Sequence, residues 1–587
     1  MDIRKEILEK LNEIVSSLEV ENIPIEVEIP SNRSFGDYST NIAMKLTKVL
    51  GKNPIDIANE IKEKFKNIEN IEKIEVVKPG FINFYLSQDL ILENLKEIIS
   101  KKDDYGKTDF GKGKKWLIEH TSANPNKAMH FGHLRNNVTG MVISNLWENI
   151  GIEVIRDYID NNRGIAIAKL MWGYLKFAKK NESAPTDINY WHEHKDEWHT
   201  PEELGIKSDH FVDKLYNQAS EDFKNPEVEE KVRQMVIDWE NEDPINWELW
   251  ELVLKYSHEG QQETLQRLGS KIDKIWYEHE IYKKGKEIVE TGLEKGIFQK
   301  LEDGAILTNL KEYKIPDTVV LKRDGTSLYI TQDLALTKLK RETFNPDKLF
   351  WVVGPDQSLA LKQVFAVCEQ LGFGKFEDYT HLSFGYVTIK GQGKMSSRKG
   401  NVVYIDDLLD GAKATIKDKI KNEDLSEEEK DQIAEILGIG AVKYSILKVG
   451  RMTDTAFDFN TSLSFEGDSG PYLVYTYARC KAILRQSQEV NHNTALVLNE
   501  STEIEILKLL NRYKDIVLEA ALSYAPNILA NYLYDLAQKY NSFYNSLSVL
   551  NAESEEIKNS RLMLTQATAQ VLKNGLNLLG IETVEKM

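Results

Sequence analysis

The sequence predicts an α/β protein centred on a parallel sheet of two βαβ halves, with a block of helices inserted between them. Three observations predict it. Residues 116–121 form a short apolar run, Leu134, Val138, Met141, Val142 and Leu146 then recur at helical spacing up to Gly151, and 152–159 reads as another strand. The same order returns later: an apolar run at 348–353, an amphipathic pattern over 357–371 stopped by Gly372, and another strand-like run at 381–389. Between the two lies a stretch, about 165–270, that reads as helical throughout and is rich in Trp and Glu. Strand, turn, helix and strand make the unit of a Rossmann-like sheet, whose ligands bind at the C-terminal ends of its strands.

The flanking regions follow in order. Residues 1–106 read as a small α+β domain. Residues 25–29 alternate like a strand, 41–50 and 55–65 carry helical patterns, and 74–77 and 81–86 flank the turn Lys78-Pro79-Gly80. The central domain is expected over 107–410, a helical connecting region over 411–465, and an all-helical domain over 466–587. A length of 587 residues sets a prior of about four domains. Cys368 and Cys480 form no framework and no Cys-x-x-Cys pair, which points to a reducing compartment and away from a zinc knuckle. The first residues carry no apolar signal, and no stretch nears membrane-spanning length, so a cytoplasmic protein without membrane contact is expected. The net charge of -18 argues against a body coated by nucleic acid. It leaves room for a local basic surface, whose binding should be salt-sensitive. The acidic runs of 165–270 read as solvated helix faces, and nothing there marks an editing pocket.

The chemistry centres on the stretch from Ser122 to Arg135. His130 and His133 stand where the turn becomes a helix, and amide donors and the positive end of the dipole favour a phosphate there. A His-x-Gly-His is a weak signal alone. The chain also holds Lys394-Met395-Ser396-Ser397-Arg398-Lys399-Gly400, and together the two stretches resemble the signatures of class I aminoacyl-tRNA synthetases. The residues around them are most similar to the arginyl-tRNA synthetase family, nearly end to end.

The resemblance implies an arginine–tRNA ligase. Such an enzyme takes ATP as substrate with Mg2+, holds no metal of its own, activates arginine to arginyl-adenylate and transfers it to the 3' end of tRNA(Arg). A monomer is expected. His130 and His133, with Gly132, would meet the ATP phosphates. Lys394, Met395, Ser396, Arg398 and Lys399 belong to a loop of Gly, Ser and basic residues suited to closing over the triphosphate. Ser397 stands where the class usually has a second lysine. Family members lacking that lysine compensate with one just before the histidine stretch, here Lys127, so which cation carries most of the charge stays open. For the amino acid, Tyr329 and Asp333 match the family's tyrosine–aspartate pair. Gln357 matches its glutamine, Asn124 its asparagine, and Glu278 its acidic residue, with Glu280 as a rival. Two carboxylates suit a guanidinium, which forms forked, charge-assisted hydrogen bonds. They disfavour a cysteine-specific relative, whereas lysine specificity is set aside by the resemblance alone. The stretch from Phe35 to Asn41 resembles the family's extra N-terminal domain, used against the corner of the tRNA. The stretch from Gly470 to Arg479, Tyr524-Ala525-Pro526, Phe543-Tyr544 and the stretch from Leu578 to Glu582 resemble its anticodon-binding domain. A synthetase-like RNA-binding scaffold without activity is the rival from another class, and the intact signatures and pocket argue against it.

Overall fold

The computed structural model describes residues 3–20, 23–30, 35–65, 70–323, 329–391, 403–487, 490–492 and 495–587. Residues 1–105, 479–514 and 535–574 form one unit, and 106–478, 515–534 and 575–587 the other.

The first unit begins with α1 (Ile3–Ser16), β1 (Tyr38–Thr40), α2 (Ile42–Leu50), α3 (Pro54–Lys64), β2 (Ile71–Val77), β3 (Phe81–Leu86) and α4 (Gln88–Lys101). Its three strands form an antiparallel sheet in the order β1-β3-β2. The strand expected at 25–29 is corrected. Only Glu28 pairs there, through a single bridge to Ser39 with both N–H···O distances at 2.7 Å. Pro24 and Pro30 bracket the segment and lack the N–H groups that a longer ladder needs. Asp37 and Ser39 do not cap α2. Asp37 accepts from the Leu86 N–H at 2.9 Å, and the Ser39 hydroxyl donates to Asn83 Oδ1 at 2.7 Å, so both tie β1 to β3.

The second unit opens with β4 (Lys115–Glu119), α5 (Phe131–Asn149) and β5 (Glu153–Asp160). The inserted helices follow: α6 (Ile165–Phe177), α7 (Ile188–Glu193), α8 (Pro201–Leu204), α9 (Ser208–Asp222), α10 (Pro226–Glu240) and α11 (Pro244–Arg267). They bury a core of their own that includes Trp172, Trp191, Trp198, Trp239 and Trp250. Next come β6 (Lys274–Tyr277), α12 (Glu278–Ile281), α13 (Lys284–Glu294) and a small antiparallel sheet of β7 (Gln299–Lys300), β8 (Ile306–Leu307) and β9 (Val319–Leu321). The second half contributes α14 (Tyr329–Phe344), β10 (Lys348–Trp351), α15 (Ser358–Leu371) and β11 (Tyr379–His381).

The central sheet is parallel throughout, in the order β11-β10-β4-β5-β6. From β4 the chain runs outward through β5 to β6, and from β10 it runs the other way to β11. The direction reverses between β4 and β10, and a crevice opens at their C-terminal ends. The strand expected over 381–389 is really two. β11 ends at His381, and β12 (Val387–Ile389) pairs with β13 (Thr455–Phe457) in a separate sheet. Gly385 makes the break possible: its N–H donates to Arg451 O, and a Cβ there would lie 2.6 Å from the Thr453 carbonyl carbon. The chain continues through α16 (Ile405–Lys417), α17 (Glu427–Leu447) and α18 (Phe459–Ser462). It ends in α19 (Gly470–Gln486), α20 (Ser501–Asn511), α21 (Tyr513–Leu522), α22 (Pro526–Ser546) and α23 (Glu555–Leu578). Tyr477 and Phe543 are buried core, whereas Tyr475 and Tyr544 are exposed. Among the described residues, no helix is long and apolar enough to cross a membrane.

Candidate active site

The turn after β4 is held from three sides. Thr121 has a φ of 76°, unusual for a β-branched residue, and its N–H donates to Asn136 Oδ1 at 2.8 Å. The Tyr158 hydroxyl, on β5, donates to Ala123 O at 2.7 Å. Gln261, from α11, donates to Asn124 O at 3.2 Å and Lys127 O at 2.9 Å.

His130 is the N-cap of α5. Its Nδ1 accepts from the Gly132 N–H at 3.1 Å, and His133 Nδ1 accepts from the His130 N–H at 3.1 Å. The rings stack with centroids 3.9 Å apart. Gly132 permits this, because a Cβ there would lie 3.0 Å from His130 Cε1. Each Nδ1 is spent as an acceptor, so a neutral ring must carry its proton on Nε2, where it becomes a donor. Both rings are neutral. Burial, helped by the charge of Lys127, pushes His130 down to about 4, and burial, His130 and Lys127 push His133 well below its ordinary value. Two Nε2–H donors at a helix start suit phosphate oxygens.

Lys394, Met395, Ser396, Arg398 and Lys399 lie outside the described residues. The chain on either side of them comes to the same turn. The Phe131 N–H donates to Val403 O at 3.1 Å and the Ile405 N–H to Met129 O at 3.0 Å, while the Phe131 and Phe457 rings meet at 6.4 Å beside β12 and β13.

A second group of charges lines the C-terminal ends of β4 and β5. Lys340, on α14 and fully buried, reaches Glu119 Oε2 at 2.5 Å and Asp157 Oδ2 at 2.8 Å. Trp276 Nε1 also donates to Asp157 Oδ2, at 2.8 Å. One ammonium serves two carboxylates. Burial would lower the pKa of Lys340, but the two anions raise it, while burial and the surplus negative charge raise that of Asp157. Asp333, on the same helix, keeps an open face but is crowded by this cluster. Burial first, then Glu119 and Glu278, push its carboxyl up to about 7 against the pull of Lys340. Glu278 is turned inward, accepts from Gln332 Nε2 at 3.0 Å, and has Arg163 NH1 at 3.9 Å. Burial raises it too, while Glu280 is exposed. Tyr329 opens α14 one turn before Asp333 and is 85% exposed. Asn124 follows β4, where its Oδ1 accepts from Asn161 Nδ2 at 3.0 Å, and Gln357 follows β10, donating to Asp356 Oδ2 at 3.0 Å. These two therefore stand on either side of the switch point.

Asp209, His210 and Asp406 hold ligand atoms within 4.8 Å of one another, but the Lys207 ammonium already bonds both carboxylates. This cluster does not fit magnesium. Sequence reasoning missed Glu119, Asp157, Lys340, Arg163 and Gln261. Asp157 gave little signal, because its strand also carries Glu153, Arg156 and Asp160. Lys340 was a charge among the apolar positions of a helix, and Gln261 left no signal at all.

This sheet with its histidine-capped helix is the scaffold of the class I tRNA synthetases: residues 94–459 match the family model described as tRNA synthetases class I (R), catalytic domain. Residues 473–587 match the DALR anticodon binding domain and 1–86 the arginyl tRNA synthetase N terminal domain. The arginine–tRNA ligase of Treponema denticola is 35% identical over 584 residues, covering 96% of this chain and 95% of that one. The ligase of Methanopyrus kandleri is 35% identical over 612 residues, covering 100% and 97%. The solved Thermus thermophilus arginyl-tRNA synthetase shares the fold over 100% of both chains, with a TM-score of 0.80 at 24% identity. That of Plasmodium falciparum does so at 0.81 and 22%, over 100% and 99%. The chain belongs to the arginyl-tRNA synthetase family.

Proposed function

We propose that the protein is an arginine–tRNA ligase, activating arginine with ATP and transferring it to the 3' end of tRNA(Arg). The observation that carries this reading is the reciprocal capping of His130 and His133 at the start of α5, just after β4, together with an Asp333 carboxyl set against Glu119, the last residue of β4, and against Glu278. In the first step the arginine carboxylate attacks the α-phosphorus of ATP, the new P–O bond forms, and pyrophosphate leaves. Charge grows on the phosphoryl oxygens, so catalysis is positioning and charge stabilisation, with no nucleophile needed from the enzyme. His130 and His133 donate to those oxygens, with Gly132 keeping the rings in place. Lys127 adds positive charge beside them, and Lys394, Met395, Ser396, Arg398 and Lys399 complete the nucleotide site. Asp333 and Glu278 take the guanidinium, with Tyr329, Asn124 and Gln357 at the rim. In the second step a ribose hydroxyl at the tRNA end attacks the activated carbonyl and AMP leaves. ATP arrives with Mg2+. The parts that grip tRNA are residues 1–106 and 466–587, around the catalytic domain at 107–410, and the enzyme works as a monomer in the cytoplasm.

Pyrophosphate exchange with each amino acid, with tRNA present, tests the reading. Arginine alone should support exchange; equal exchange with lysine or cysteine, or none with any amino acid, would overturn it. His133→Ala should lower kcat for adenylate formation by about 10²–10³ while leaving the KM for arginine nearly unchanged, the usual cost of one preorganised donor. Full turnover in that variant would remove His133 from the phosphate site.

A further inference from the structure

The inserted helices grip the chain that pairs with the histidine turn. The Tyr404 hydroxyl donates to Asp213 Oδ2, on α9, at 2.7 Å, and its ring lies 4.3 Å from that of His210. Asp406 accepts from the Lys207 ammonium at 3.0 Å and from Thr264 Oγ1, on α11, at 2.9 Å, with His210 Nε2 at 3.6 Å. Lys207 is itself fixed by Asp209 Oδ1 at 2.9 Å and Gly260 O at 2.6 Å. On its other edge the same segment pairs with the turn: Tyr404 and His130 form an antiparallel bridge, closed by the bonds from Phe131 to Val403 and from Ile405 to Met129. His130 is the cap residue whose ring orients that of His133. An unbroken series of contacts thus joins the insertion, Tyr404 and Asp406, the paired main chain and the imidazoles.

We propose that Tyr404 and Asp406 are positioning residues, through which the helical insertion sets the seat of His130 for the activation step. The inference rests on the reading of His130 as a phosphate donor. Neither residue touches substrate. Each holds the strand against which His130 is registered, and a donor misplaced by about 1 Å loses on the order of 10²-fold in rate. The insertion, with a core of its own, is the rigid body that a buttress of this kind needs.

Tyr404→Phe keeps the ring against His210 and removes only the bond to Asp213, and Asp213→Asn weakens the same bond from the other side. Each should lower kcat for arginine- and tRNA-dependent pyrophosphate exchange by about five- to tenfold, the effect of one hydrogen bond, with the KM for arginine nearly unchanged. In a double-mutant cycle, Tyr404→Phe should add little to the loss already caused by His130→Ala. A second readout needs no activity. Nitrogen NMR of the histidines should show His130 as the neutral Nε2–H form in the wild-type protein and a changed tautomer balance in Asp406→Asn. Wild-type kcat in Tyr404→Phe, or a full independent loss on top of His130→Ala, would overturn the proposal, as would unchanged His130 shifts in Asp406→Asn. Should Asp406→Asn fail to fold, Tyr404→Phe decides. A wild-type protein without arginine-dependent exchange would sink the ligase reading instead, and the NMR comparison would still judge the positioning role.

Discussion

Replacing Asp333 by Asn is expected to lower kcat/KM for arginine about thirtyfold to several thousandfold. The substitution keeps shape and removes charge, so the guanidinium would lie against a neutral amide. Asp333 keeps an open face until the ligand covers it; breaking a charge pair buried in this way costs about 2–5 kcal/mol, at about 1.4 kcal/mol per tenfold. ATP affinity should barely move, because the proposed site assigns the phosphates to His130 and His133 and not to Asp333. Citrulline, neutral at the same position, should lose far less than arginine. The raised carboxyl pKa of about 7 gives the effect a pH signature. A cationic ligand binds the ionised form, so binding expels a proton wherever the free carboxyl is protonated. The KM for arginine should therefore rise as pH falls below about 7, approaching tenfold per unit, and level off above it. In Asp333→Asn that slope should vanish. Exchange kinetics with arginine, citrulline and lysine between pH 5.5 and 8.5 would measure this, those limits being chosen to span the expected pKa by about 1.5 units on each side. If arginine use is unaffected, or ATP and arginine suffer alike, Asp333 is not the specificity carboxylate and the assignment moves to Glu278 or Glu280.

Lys340→Met should destabilise the catalytic fold by about 3–5 kcal/mol, because Glu119 and Asp157 stay buried without their cation. The penalty should depend on pH. Burial already raises the Asp157 carboxyl against the pull of Lys340, and without that cation it would rise further, so the folded state would bind more protons than the unfolded. Stability then falls as pH rises, and the variant should be closer to wild type at about pH 5.5 than at about pH 8. Urea unfolding at both pH values, followed by tryptophan emission, would measure it. Adding Glu119→Gln and Asp157→Asn should recover much of the loss, since a neutral cluster needs no cation. A Lys340→Met protein as stable as wild type at high pH would show that the cluster is not the buried charge balance described here.

The halves of the sheet and the inserted helices were legible because their periodicities are long and bounded by glycines at 151 and 372. The histidine turn was legible as chemistry, although its reciprocal capping was not, since no spacing rule says which ring nitrogen faces the main chain. Residues 25–29 misled because alternation reports a half-buried surface and says nothing of whether prolines leave enough N–H groups for a ladder. Residues 381–389 misled because a strand-like run does not show where the chain changes partner, even with Gly385 inside it. Asp333 was proposed from its neighbours in sequence. Lys340, two turns further along the same helix, was passed over because its role exists only where β4, β5 and α14 converge. Gln261 was invisible for the same reason, its acceptors being carbonyl groups.

The antiparallel bridge between His130 and Tyr404 also has a consequence for biosynthesis. The two strands of that small ladder are about 270 residues apart in the chain, which a ribosome adding about 5–20 residues per second needs roughly 15–55 seconds to make. For that interval the histidine turn has emerged without its partner strand, and until α11 appears it also lacks Gln261. The nascent first half of the sheet must therefore wait, with an open edge at β4 where β10 will later pair. Such an edge invites pairing with other chains. The inserted helices, which bury a local core, can fold during the wait. The histidine turn is thus completed only after the insertion and the second half of the sheet have been made, and slowing translation between residues 160 and 405 should extend the period in which the chain depends on chaperones.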